Sequence, residues 1–183
     1  MQIRFTPPPI DSGDRSAASH KAWLINTAAA LESLSYWLIS AFGQDANATG
    51  VLRTSLHSSP LTVEPHGASM AVHVTTGGGI HDTGFFMLES QATLGAFTAP
   101  GANKDFWLVY ITPSTCACTS VLIGNAASLA ALGYASVEEA AAAIVPSGSL
   151  ELAVVTVPST ATVVKATSDG TNGYIDDARV VLN

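Results

Sequence analysis

The spacing of apolar residues divides the chain into a helical stretch and a β stretch. Over residues 17–43, Leu24, Leu31 and Leu38 recur at intervals of seven, with Thr27, Leu34 and Ala41 at the complementary positions. That pattern predicts one long helix carrying the seam of a short coiled coil. Trp23 and Trp37 flank the seam, Ser16 or Ser19 is placed to cap the helix start, and Gly43 stands where a helix-ending glycine belongs. From Val51 onward the period shortens to two. Met70, Val72 and Val74 alternate with Ala71, His73 and Thr75, and further strands are expected over 85–88, 106–111 and 150–157, with a short one over 161–164.

The intervals between these runs carry turn signals. Gly77-Gly78-Gly79 predicts a turn with positive φ, and Ala99-Pro100-Gly101-Ala102-Asn103 and residues 169–173 predict loops. A single helix is expected within the β region. Ser136-Val137-Glu138-Glu139 reads as a capping box ahead of an alanine-rich run that stops before Pro146. At the other end, Pro7, Pro8 and Pro9 with Asp11, Ser12, Gly13 and Asp14 give an extended arm. The expected organisation is an arm over 1–16, a helix over 17–43, a linker over 44–60 and a β domain over 61–183. The expected fold class is mainly β, an antiparallel β-sandwich of jelly-roll-like form with a crossover helix.

Composition sharpens this picture. Of 183 residues, 48% are hydrophobic and 11% are charged, against about 25% charged in an ordinary domain. Disorder is excluded, because disordered chains are rich in charge and poor in apolar residues. No run approaches the ~18 apolar residues of a membrane span, so a soluble chain without membrane insertion is expected. Seven Lys and Arg against fourteen Asp and Glu give a net charge of −7. With the basic residues scattered, nucleic acid and anionic membranes are poor partners. Residues 1–9 hold no apolar core of a secretory signal. Cys116 and Cys118 are too few and too close for a disulfide framework, which predicts free thiols and assembly in a reducing cytoplasm.

Candidate chemistry is sparse. Asp82-Thr83-Gly84 matches the triplet of aspartic proteases, but one triplet per chain needs a symmetric dimer to supply the second carboxylate. The alternative is a turn capped by Asp82. His73, His81, Asp82, Cys116 and Cys118 are metal-ligand types without metal-ligand spacing, and His57 and His66 fall in loops. No nucleophile elbow or phosphate loop occurs. Phe85, Phe86, Phe106, Trp107 and Tyr110 sit on strands, where they fill a core unless two or three are exposed together as a sugar platform. Asp177 and Arg179, two residues apart, are expected to pair with other residues and to lock the last strand. No enzyme activity, cofactor or metal is expected.

The stripe on the long helix has two solutions: packing on its own domain, or self-association. The adjacent proline-rich arm, the Gly/Asn/Thr linker and the near absence of charge (Lys21 and Glu32 alone) favour self-association.

The β half resembles domains of bacteriophage virion proteins of the baseplate, tail-fibre and fibre-adaptor group. The resemblance rests on Met70-Ala71-Val72-His73-Val74 before a glycine-rich turn, on Lys104-Asp105 before the 106–111 strand, and on Leu150 to Pro158 (LELAVVTVP). It continues through Ser159-Thr160-Ala161-Thr162-Val163 and Ile175-Asp176-Asp177-Ala178-Arg179. It covers roughly residues 60–183, with 1–50 similar only in style. Such proteins often carry Arg-Asp where this chain has Lys104-Asp105, and the chain stops at Asn183, where longer fibres continue to a receptor-binding tip. The resemblance implies a homotrimer docked on the particle by its N-terminal segment. Trp23, Leu24, Leu31, Leu34, Trp37 and Leu38 would then form the oligomer interface, and Phe5, Pro7, Pro8 and Pro9 would dock on other virion proteins. The expected role is a non-enzymatic structural protein of the tail or baseplate, or an adaptor joining a fibre to the particle. It would be assembled in the host cytoplasm and located in the virion. Capsid decoration (or a head fibre) and a carbohydrate-binding host-adsorption module are the alternatives.

Overall fold

The computed structural model describes residues 49–52, 59–81 and 84–182. The arm with Phe5, Pro7, Pro8 and Pro9, and the expected helix with Trp23, Leu24, Leu31, Leu34, Trp37 and Leu38, lie outside the described residues, as do His57, Asp82 and Thr83.

The described chain is mainly β. In chain order the first strands are β1 (Gly50–Leu52), β2 (Val63–Pro65), β3 (Val72–Val74), β4 (Gly77–His81), β5 (Gly84–Leu88) and β6 (Ala92–Leu94). They are followed by β7 (Lys104–Thr112), β8 (Ala117–Asn125), helices α1 (Ala126–Ala131) and α2 (Val137–Ile144), β9 (Leu150–Pro158), β10 (Val164–Lys165), β11 (Gly173–Asp177) and β12 (Val181–Leu182). They form three sheets, with orders β12-β1-β4-β5, β10-β11-β9-β7-β8 and β2-β3-β6. Pairing is antiparallel except for β1 with β12 and β10 with β11. Strand β1 lies within the segment expected as a linker and pairs on both sides, so the β fold begins before residue 61.

The five-stranded sheet is the centre of the fold, and its middle strands are buried on both faces. Along β7, side chains alternate between two cores as period two requires. Phe106 and Leu108 join Val154 of β9, Ile123 of β8 and the helix residues Leu129, Ala140 and Ala141. Val109 and Ile111 face the opposite way, where β9 and the two smaller sheets supply Val155, Val157, Val51, Val72, Val74, Phe86 and Leu94. Strand β9 needs an adjustment to serve both cores. Val109 pairs with Ala153, but Tyr110 pairs with Glu151, leaving Leu152 as an extra residue. This bulge turns the neighbours Leu152 and Ala153 into the same core. The bulged carbonyl of Leu152 accepts a hydrogen bond from the Ala178 N–H (3.1 Å).

The single crossover helix expected at the 136–144 run is present as α2, but α1 precedes it, so two helices and not one form the crossover from β8 to β9 and cover one face of the sheet. Ser136 caps α2 by accepting from the Glu139 N–H (3.2 Å). The Glu139 carboxylate takes the Ala135 N–H (2.8 Å), one position upstream of the expected box partner. The helix stops at Ile144 because Val145 precedes a proline and is extended (ψ 125°). The reciprocal capping box belongs instead to α1, where the Asn125 side chain accepts from the N–H groups of Ala127 and Ser128 and the Ser128 hydroxyl accepts from the Asn125 N–H.

Two further expectations are corrected. Gly77, Gly78 and Gly79 form strand β4 and not a turn. Glycine serves close approach here, because a Cβ at Gly79 would lie 2.7 Å from both the Gly50 carbonyl oxygen and the Phe86 ring, and one at Gly77 would collide with Pro60. Asp177 and Arg179 do pair with each other. Regular pairing ends at Asp177, and Arg179 Nε and Nη2 then fork onto the two Asp177 carboxylate oxygens at 2.8 and 2.6 Å. The second face of the guanidinium donates through Nη1 to the Pro60 carbonyl (2.6 Å) and the Thr62 hydroxyl (2.9 Å). Arg179, 9% exposed, therefore ties the segment between β11 and β12 to the start of β2. This is a lock on the chain end, made by different partners from those expected.

Two outcomes follow from this packing. Leu152→Ala, which empties part of a fully buried site, should cost about 2–5 kcal/mol, read as a fall in the urea midpoint at unchanged m-value. The exposed Leu132→Ala should shift that midpoint little, and equal effects would contradict the core assignment. The Arg179 hydrogen bonds hold the Asp177 carboxyl below its usual pKa. The stabilisation is therefore present above the unfolded carboxylate pKa and is lost as pH falls through the lower, folded value. Asp177→Asn should lower the thermal midpoint at pH 7 and converge with the parent in acid; a gap that is the same at both pH values would refute the clamp.

Candidate functional site

Two features of the five-stranded sheet meet at one end of β8. The first is the outer edge of that strand. Ala117–Asn125, nine residues, contains neither charge nor proline, and its outward N–H and C=O groups pair with no strand among the described residues. The other sheet edges are shorter: β10 and β12 have two residues, β2 and β6 three, and β5 five. Edges of folded proteins are blunted by shortness, charge, proline or a covering segment. Of the devices within the strand itself, β8 carries an irregularity near Gly124 and no other.

The second feature is a cleft of about 570 Å³ where β8 runs into α1. It is lined by Asn103, Lys104, Asn125, Ala126, Ala127, Pro158, Ser168, Gly170, Asn172 and Tyr174. Three local devices shape it. Gly124 (φ +131°) carries no Cβ that would press on the Ser128 hydroxyl, 2.5 Å away, so the Asn125 capping box can close. Asn103 takes a left-handed turn (φ 63°) before β7, and its carbonyl accepts from the Ser159 N–H (2.9 Å). The loop between β10 and β11 is organised by Asp169, which accepts from Thr171 N–H, Asn172 N–H, Asn172 Nδ2 and Lys165 Nζ at 2.9, 2.8, 2.9 and 2.6 Å. The Asn172 N–H and then the Lys165 ammonium lead in holding the Asp169 carboxyl far below its usual value.

Among the described residues, the lining of the cleft has one cation and no carboxylate. Lys104 Nζ stands over the Phe106 ring, 5.8 Å from its centre. Nearby, burial and then the Glu138 charge push the Asp176 carboxyl up, with Lys104 opposing the shift. Burial and the same Glu138 charge also raise Glu151.

Residues singled out in the sequence are dispersed. His73 sits opposite Glu64 in the β2–β3 pair, with Nε2 3.3 Å from the carboxylate, and its ring meets His66 edge-on at 5.8 Å. His66 is thus in contact with another ring, although it is exposed as expected for a loop. His81 ends β4, and Gly84 opens β5. Among the described residues no group of three or more His, Cys, Asp and Glu is placed to hold a metal ion. Cys116 and Cys118 are free thiols; Cys116 lies at the tight β7–β8 turn (φ 51°). Phe86 and Phe106 are buried, and Trp107 packs edge-on against Phe97 at 5.4 Å. Asn103, Asn125, Asn172 and Tyr174 were not anticipated. The one signal for them was Asn125 ahead of Ala126-Ala127-Ser128, a helix start.

No family model matches the chain, and neither the curated proteins nor the solved structures contain a match to it.

Burial, aided by Cys116, pushes the Cys118 thiol up to about 11, which leaves little reactive thiolate at neutral pH. Iodoacetamide at pH 8 should modify Cys118 on the order of a hundredfold more slowly than an unperturbed thiol, with a rate that climbs through pH 10. Peptide mapping by mass spectrometry reads the rate; modification at the rate of a free thiol would contradict the assignment.

Proposed function

We propose that this chain is a non-enzymatic structural subunit of a bacteriophage virion, in the tail or baseplate or as an adaptor attaching a fibre to the particle, and that it works as a homotrimer. The observation that carries the assembly part of this reading is the outer edge of β8. A nine-residue strand without charge or proline is a template for pairing with another chain, and an assembled protein covers it. Three sequence features support the same reading: a charge content of 11%, the leucine seam of Leu24, Leu31, Leu34 and Leu38 flanked by Trp23 and Trp37, and the resemblance of residues 60–183 to phage virion domains. The arm with Phe5, Pro7, Pro8 and Pro9 is the docking segment in this reading. The three sheets around a shared core are read as a jelly-roll-like sandwich, and the particle as the chain's location.

Light scattering after size exclusion should give about three times the chain mass of 18.8 kDa. Leu31→Asp combined with Leu34→Asp should dissociate the oligomer while circular dichroism retains the β signal. Leu122→Lys, at a position of β8 that is 45% exposed, should weaken incorporation into particles. A wild-type monomer at micromolar concentration, or assembly indifferent to all these substitutions, overturns the reading.

A further inference from the structure

We infer that the cleft between Asn103, Asn125 and Tyr174 is a binding site for an acidic saccharide, with the sugar carboxylate on Lys104 and the hydroxyls on the amide and phenol groups around it. The argument starts from which hydrogen-bonding capacity remains open. The Asn125 side-chain oxygen is used up by the Ala127 and Ser128 N–H groups, so this residue offers its amide donors. The Asn172 oxygen is engaged by Thr162 and its Nδ2 donates to Asp169 (2.9 Å), which leaves one amide hydrogen open. Asp169, the acidic residue of the adjoining loop, is saturated by Lys165 and by loop N–H groups. Lys104 makes no ion pair among the described residues; its ammonium rests over an aromatic ring. Among the described residues the lining therefore keeps open donors, at Lys104 and the Asn125 amide above all, and contains no carboxylate, in a chain whose net charge is −7.

A donor-rich, carboxylate-free cleft selects an acceptor-rich ligand, and a single cation sets that ligand's charge at one. Phosphate-dense ligands call for several cations or Arg forks, which are missing from the lining. A hexuronate meets both conditions, with one carboxylate and a ring of hydroxyls, and Tyr174 with Pro158 provides an apolar patch for the C–H face of the ring. The volume of about 570 Å³ lies within the range of small-ligand sites and accommodates a disaccharide. The walls are pre-formed by the Asn125 capping box and the Asp169-centred loop, which reduces the ordering that binding must impose. This inference concerns ligand binding and stands apart from the assembly reading.

The test uses the full chain and two probes, digalacturonate and the uncharged galactose disaccharide of the same linkage, in saturation-transfer NMR. Digalacturonate should give a saturable signal, and the neutral disaccharide a signal weaker by about tenfold, the scale of one charged hydrogen bond. Lys104→Gln, a substitution at an exposed position, should weaken digalacturonate binding by the same factor with an unchanged thermal midpoint. Tyr174→Phe is the second variant and should weaken both probes while the sheet signal persists. Absence of a digalacturonate signal, equal signals from the two probes, or binding indifferent to Lys104→Gln each overturns the inference.

Discussion

Burial of β7 and β9 on both faces is the constraint from which the rest of the domain follows. Each strand must send apolar side chains to the helix side and to the side of the smaller sheets. A strand with a strict two-residue period does this only if nearly every position is apolar. β9 meets the demand with Leu, Ala and Val through most of its length, and the Leu152 bulge hands one extra side chain to the larger core. The helices are then obligatory, because Phe106, Leu108 and Val154 would otherwise face water. The smaller sheets are obligatory for the same reason on the other face, where Val109, Ile111 and Val155 need Val51, Val72 and Phe86. With so much area already engaged, the shorter strands need only a few residues each.

The same constraint explains what the sequence made legible. Strands β7 and β9 stood out because double-sided burial writes an uninterrupted apolar run, and α2 because its serine cap and following proline mark both ends. Strand β8 was invisible. An edge strand covered on one face mixes Cys, Thr, Ser and Gly with a few aliphatics, and its irregularity at Ile123–Gly124 breaks the alternation. The β4 glycines misled for a related reason. Glycine reports that something comes close as often as it reports a turn, and the Gly50 backbone that comes close to Gly79 lies far away in sequence. The Asp177–Arg179 pair was misjudged by assuming that the strand continues. The chain leaves the sheet at that point, and the Arg179 N–H turns back onto the Asp177 carboxylate (3.1 Å). The cleft was illegible for the most general reason: its lining comes from four separate segments, each polar and ordinary in itself.

The low charge of the chain now has a location. Apolar excess in the described residues is not a surface patch, since the large exposed apolar residues Met87, Leu122, Leu132 and Val180 are few. Much of it lies in the two cores, which a chain of this length can fill. What the core does not explain is the lack of charge on β8. Surface strands usually carry Lys or Glu on the solvent side, both for solubility and against edge pairing. Omission of these residues along the longest edge left unpaired among the described residues is a feature of that edge and not of the core.

The edge and the cleft are also mechanically joined. Asn125 is at once the last residue of β8, the cap of α1 and a wall of the cleft. A chain that paired along β8 would fix the strand up to Gly124 and, through the capping box with Ser128, the position of the Asn125 amide. Conversely, a ligand held by that amide would stiffen the end of the edge on which pairing would occur. Coupling of this kind requires only that both events restrain the same few backbone atoms, because the second event then meets a segment already ordered by the first. The shared residue is therefore where assembly and ligand recognition would communicate.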